Sequence, residues 1–187
     1  MQIPEVIETE RLRLRQWCEA DREPFARINA DHRVMEFFPS LLDRAASNTF
    51  QDRCQSLISQ RGWGLWVVET KEKSEFIGFA GLHIPAHPLP FMSCVEVGWR
   101  LAFPYWGKGY ATEAARVALN VGFELLDLQE IVSFTVLQNR RSRAVMSRLG
   151  MIETDVTFNH PAIPEGHPLS QHCLYSITHE QWLTTDH

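Results

Sequence analysis

Gly107 and Gly109 stand one residue apart with Lys108 between them, and the chain then runs straight into "YATEAARVALNVGFELL". A helix N-terminus exposes unpaired amides and carries a partial positive charge, so glycines ahead of it let an anion come close. The chemistry offered is anion binding; the bland alternative is a plain turn between strand and helix. Two nucleotide motifs fail at this place. The phosphate-loop pattern GxxxxGK[ST] breaks because Lys108 is followed by Gly109, and Ala102 stands where the first glycine belongs. The dinucleotide pattern GxGxxG breaks at Thr112, and the loop follows four strands instead of opening a βαβ unit.

The elements around the loop follow from periodicity. "ERLRLRQW", residues 10–17, alternates as a half-buried strand does, and "CEADREPFARINA" and "DRAASNTFQDRCQSLISQ" read as two helices separated by "PSLLD". "GLWVVETK" and "SEFIGFAGLHI" form a hairpin across "KEKSE", and "SCVEVGWRLAF" is the strand that leads into the glycines. Gly98 inside that strand suggests a bulge or a close backbone approach. After Gly109, Ala111, Ala114, Ala115, Ala118, Gly122, Leu125 and Leu126 recur at helical steps as a narrow packing stripe. "EIVSFTVL", "NRRSRAVMSRLG", "MIETDVTF" and "HCLYSI" read as strand, helix, strand, strand, and Thr178 with Gln181 makes a capping box for a last turn. The order βααβββαβαββ has no repeat and no linker, which predicts one domain over residues 1–187 with a mixed α/β sheet.

The bulk numbers fit that frame. A chain of 187 residues with 44% apolar and 22% charged residues is ordinary for a globular domain. A net charge of -5 argues against nucleic acid as the main partner and favours cationic acceptors. Cys18, Cys54, Cys94 and Cys173 make no CxxC pair, which points to a reducing cytoplasm. No run approaches the roughly 18 apolar residues of a membrane span, and the first residues lack the apolar run of a secretion signal, so no membrane partner is expected. His160, His167 and His172 cluster before the last strand, yet no HExxH pair or cysteine accompanies them, and their proline-rich loop reads as a lid without metal.

Taken together, "ETERLRLR", "GFAGL", "VEVGWRL", "WGKGYATEA" and "NRRSRAVMSRLGM" resemble the GNAT superfamily of N-acetyltransferases, and within it the RimJ/RimL-like branch. The family loop Q/R-x-x-G-x-G/A matches with Gly109 and Ala111 in its last two fixed places, although Trp106 replaces the first residue. The resemblance covers nearly the whole chain. It implies an α/β (α+β) fold, mostly antiparallel, with two middle strands splayed to form a cofactor slot. The anion is then the pyrophosphate of acetyl coenzyme A (acetyl-CoA), cradled by the amides of Gly107, Lys108, Gly109, Tyr110, Ala111 and Thr112. The backbone of Trp99, Arg100 and Leu101 pairs with the pantetheine arm, and Asn139 meets it from the other wall or serves simply as a helix cap.

Acetyl transfer to an amine needs a base, a donor for the developing oxyanion and a proton for the leaving thiolate. By the resemblance the base is Glu96, which also reads as an ordinary glutamate on an alternating strand; Glu153 is a weaker second choice. A backbone amide near Trp99 or Arg100 serves the oxyanion. The place where many relatives carry a tyrosine holds Met146, so Ser142, three residues after Asn139, is the substitute acid. The acceptor is a primary amine, on a small molecule or a protein N-terminus, acetylated directly in a ternary complex, and such families often form homodimers. By the same resemblance the first two helices and the loop before the last strand shape its pocket; Phe37, Phe38 and Trp63 read either as contacts that select the amine or, the plainer reading, as core. A non-catalytic acyl-CoA sensor of the same fold is the alternative reading.

Overall fold

The computed structural model describes residues 3–91 and 93–184. Eight strands form one sheet in the order β1-β2-β3-β4-β5-β6-β8-β7. They are β1 (Val6–Glu8), β2 (Leu12–Arg15), β3 (Leu65–Thr70), β4 (Phe76–His83), β5 (Glu96–Leu101), β6 (Glu130–Val136), β7 (Ile152–Asn159) and β8 (Gln171–Thr178). The helices are α1 (Arg22–Asn29), α2 (Arg44–Arg61), α3 (Tyr110–Asn120), α4 (Arg140–Arg148) and α5 (His179–Thr184). The expected order holds, with two additions. Three-residue β1 is too short to show a period, and α3 continues into a π turn over Val121–Leu125.

Local chemistry sets the boundaries. The Asp43 carboxylate accepts from the Ala46 N–H at 2.8 Å at the start of α2. Thr178 and Gln181 exchange the two bonds of the expected capping box. Ala114, Ala115 and Ala118 are fully buried against the sheet, so the small-residue stripe brings α3 close to β4 and β5.

Every neighbouring pair of strands is antiparallel except β5 and β6. Those two run parallel and share a single register pair, Glu96↔Val132. Val132 N–H donates to Val95 O at 3.0 Å and Ser133 Oγ donates to Val97 O at 2.9 Å. Beyond these bonds β5 and β6 diverge, and the sheet opens at its centre.

Gly98 makes no bulge. The β4–β5 ladder runs without a register shift through Gly81↔Gly98, and a Cβ at Gly98 would meet only His83 Nε2, at 3.9 Å. The glycine leaves a flat floor where Glu96, Gly98 and Arg100 share one face of β5.

Candidate active site

The opening between β5 and β6 is part of a cavity of about 1140 Å³ that reaches from the glycine loop to α2 and the segment joining it to α1. Gly107 and Gly109 have φ of +72° and +81°, a backbone region that side chains with a Cβ enter only with strain. Gly109 caps α3, and the first intrahelical bond goes from Glu113 N–H to Gly109 O. The amides of Tyr110, Ala111 and Thr112 therefore lie in the first turn, ahead of the helical bonding pattern. A Cβ on Gly107 would meet nothing within 4 Å. The loop is an open cradle with room for an anion.

A contact across more than a hundred residues stiffens that cradle. Arg11 donates from Nε to Glu113 Oε2 at 2.7 Å, from its backbone N–H to Glu113 Oε1 at 2.9 Å, and from Nη1 to Lys108 O at 2.9 Å. Thr9 Oγ1 donates to the same carboxylate at 2.6 Å. Burial alone would push the Glu113 carboxyl up, but the bonds from Thr9 and Arg11 outweigh it and hold its pKa below the ordinary value. The Lys108 Nζ lies 5.4 Å from the centre of the Tyr105 ring, and Tyr105 lines the cavity.

The slot wall also departs from expectation at one residue. Ala102 N–H donates to Ile77 O at 2.8 Å, and Arg100 is matched to Phe79 two places along the same ladder. Alternation then turns the N–H and C=O of Arg100 towards β4, and those of Trp99 and Leu101 towards the gap. Trp106 Nε1 already donates to Leu101 O at 2.8 Å. Arg100 thus offers its side chain to the cavity and not its backbone to a pantetheine arm or an oxyanion.

On the opposite wall, Asn139 Oδ1 accepts from Ser142 N–H at 3.2 Å, while Nδ2 donates to Thr135 Oγ1 and Ser142 Oγ, each at 3.0 Å. Both hydrogens of the amide are committed. Because Ser142 Oγ accepts from Asn139, its own proton is left for another acceptor. Met146 is buried beside it and has no proton to give.

Glu96 lines the cavity and is 8% exposed. His83, matched to it across the β4–β5 ladder, places Nε2 2.8 Å from Glu96 Oε2. This carboxylate–imidazole pair is suited to taking a proton from an amine and passing it on. Nearby, the rings of His160 and His172 pack at a 39° tilt with centres 5.0 Å apart, and His87 approaches His160 at 6.0 Å. Burial lowers the pKa of both His160 and His172, which keeps the rings neutral at pH 7. His167 stands apart from them, its Nδ1 accepting from Leu169 N–H. Among the described residues no cluster of histidine, cysteine and carboxylate is arranged to hold a metal.

Two further sequence candidates, Glu153 and Trp63, fall outside the cavity lining. Glu153 is taken up by Arg143, at 2.8 and 2.9 Å, and by the Tyr175 hydroxyl at 2.9 Å. Trp63 lies under the Arg61 guanidinium, 3.7 Å from its ring centre, whereas Phe37 and Phe38 do line the cavity. His83, Thr135 and Arg11 were not singled out in the sequence, because only strand register and long-range packing bring them to the site.

A parallel pair that splays beside a glycine-capped helix, with a carboxylate at the far end of the gap, defines an acetyltransferase site. The chain belongs to the GNAT acetyltransferases: the family's acetyltransferase (GNAT) domain matches residues 11–152. It is 32% identical over 191 residues to the FsC-acetyl coenzyme A-N(2)-transacetylase of Aspergillus fumigatus, covering 95% of this chain and 77% of that protein. It is 31% identical over 148 residues to YkkB of Bacillus subtilis, an uncharacterised protein, covering 76% and 83%. A GNAT-family acetyltransferase from Bacillus anthracis superposes with a TM-score of 0.78 at 26% identity, over 94% of this chain and 99% of that one. A ribosomal-protein-S5-alanine acetyltransferase from Vibrio fischeri shares the fold, with a TM-score of 0.73 at 21% identity over 95% and 98%. GNAT acetyltransferases use acetyl-CoA, and the open glycine cradle, unbonded first-turn amides and central gap fit such a molecule.

Proposed function

We propose that the enzyme moves the acetyl group of acetyl-CoA directly onto a primary amine in a ternary complex, as a member of the RimJ/RimL-like branch. The observation that carries this reading is the gap between β5 and β6, with the Gly107–Thr112 cradle at one end and the Glu96–His83 pair at the other. Acetyl-CoA supplies an activated acyl group and a thiolate leaving group; the chain supplies position and proton transfer. First-turn amides of α3 hold the diphosphate. Trp99 and Leu101 face the arm from β5, and the amide of Trp99 serves the oxyanion. Glu96, with His83 behind it, takes the proton that the amine must lose. Ser142 donates towards the departing thiolate, so the missing tyrosine does not leave the site without a proton source.

A covalent route through Cys94 lacks support, because burial together with the nearby Glu96 and Glu130 raises its thiol pKa and disfavours the thiolate. The four cysteines are all free, which agrees with a cytoplasmic setting, and no helix among the described residues is long and apolar enough to cross a membrane. The acceptor is a small amine or a protein N-terminus. Thiol release from acetyl-CoA, measured over a panel of small amines and short peptides, tests the proposal. Saturable release with at least one amine is expected; cofactor binding without release from any of them would return the chain to the sensor reading.

A further inference from the structure

Arg100 carries a charge that the fold does not neutralise. The residue is 8% exposed, and the one side-chain hydrogen bond it makes among the described residues runs from Nη1 to Asn29 Oδ1 at 2.6 Å. Asn29 is neutral, and its own amide nitrogen is spent on Ser47 Oγ at 2.8 Å. Arg100 Nε is buried with no partner among the described residues. Among the described residues no carboxylate acts on this guanidinium; burial, the dominant influence, pulls its pKa down to about 10, which leaves it charged at neutral pH. Removing a charge from water without a counter-ion is costly, and folds seldom keep one without use. The surrounding rings offset only part of that cost: Phe38 lies 4.3 Å from the guanidinium carbon, and Phe79 and Phe50 lie at 5.4 and 5.5 Å.

The neighbourhood is cationic as well. Arg53 and Arg61 line the same end of the cavity, and Arg61 Nη2 is likewise buried without a partner. Glu96 is the one carboxylate that lines the cavity among the described residues, and it is held by His83. Arg100 and Glu96 point from the same face of β5, four residues apart, so their Cα atoms are separated by about 13 Å.

We infer that Arg100 is the anion-recognising residue of the acceptor subsite, and that the amine this enzyme acetylates carries a carboxylate several bonds from its nitrogen. The inference rests on the acetyltransferase reading above and adds the acceptor's chemical class. Bound with its amine at Glu96, such an acceptor sets its carboxylate against the Nε–Nη2 edge of Arg100, the edge left free by the bond to Asn29. Phe38, itself 40% exposed, covers the guanidinium and shifts aside as the acid enters. The whole-chain charge of -5, which favoured a cationic acceptor, is a poor guide to this end of the cavity.

The test compares matched amines with and without a carboxylate: β-alanine, γ-aminobutyrate and ε-aminocaproate against alkylamines of the same length, with wild type and Arg100→Gln. At least one acid is expected to exceed its alkylamine by about 100-fold in kcat/KM, with the excess collapsing in Arg100→Gln through KM. Equal turnover of acids and alkylamines by wild type would overturn the inference and leave the acetyltransferase reading intact. Caproate, which has no amine, provides a second arm: it should raise the Tm of wild type in the presence of CoA, and not that of Arg100→Gln. With no thiol release from any amine, the acetyltransferase reading fails and this arm alone decides; no Tm shift then overturns the anion site too. Should Arg100→Gln fail to fold, Arg100→Lys replaces it, and an acid-over-alkylamine ratio unchanged from wild type would refute the side-on seat.

Discussion

Glu96 and His83 meet because β4 and β5 pair in a register that sets residue 83 opposite residue 96. A carboxylate in that position holds the imbidazole nitrogen at 2.8 Å, and the pair lies at the edge of a cavity, where a proton can be received and released. Glu96→Gln should keep the hydrogen bond but lose the base. Its kcat is expected to drop by about 10² to 10⁴ in steady-state thiol release, with the Kd for CoA unchanged by calorimetry. A wild-type rate across the pH range would remove Glu96 from the mechanism. Glu96 and Ser142 are candidates that the family resemblance supplies from local offsets to "VGW" and Asn139, and both line the cavity. His83 and the unpaired guanidinium of Arg100 were not legible in the sequence, because each depends on what stands across the ladder or under a helix. Arg100 was read as a backbone contributor, and the antiparallel alternation of β5 turns that backbone the other way.

The start of α3 is held from outside the helix. Glu113 in its first turn gathers bonds from Thr9 and Arg11, and Arg11 also grips the carbonyl of Lys108, so the residues just before β2 brace the glycine loop. Gly109→Val forces a branched side chain into left-handed backbone 3.3 Å from Arg11 Nη2 and beside the anion cradle. Its Kd for CoA should rise by about 100-fold or more by calorimetry, the equivalent of about 2.7 kcal/mol. Glu113→Gln weakens the brace without touching the cradle, and a rise in Kd of about tenfold is expected. Because the Glu113 carboxyl is held below its ordinary value of 4.5, its contribution is complete above that pH and fades as the pH falls through the lower folded value. Glycines, helix stripe and caps were readable from local pattern. The brace was not, because residues 11 and 113 meet only once β2 and α3 pack on the same sheet.

The molecule as a whole is a sheet interrupted at its centre, and that interruption makes the cavity. The element order and the fold class were legible from periodicity and motif order; the cavity's charge was not, because net charge averages over surfaces that never face the acceptor. Burial also ties stability to pH through His160 and His172, whose folded pKa values lie below the ordinary 6.5. Groups depressed in this way stabilise the fold fully above 6.5 and lose that contribution as the pH falls through the folded values. The Tm should therefore decline on acidification from pH 7.5 to about 5.5, and decline less in His172→Gln; parallel curves would refute the assignment.

The proposed acetyl transfer depends on the gap between β5 and β6 receiving acetyl-CoA, and a crystal structure of the complex with CoA measures this most directly. The diphosphate should lie within hydrogen-bonding distance of the amides between Gly107 and Thr112, with the pantetheine arm between Trp99 and Asn139 and its sulfur towards Glu96 and Ser142. CoA bound elsewhere on the molecule, or a gap filled by protein side chains in its presence, would contradict the proposal.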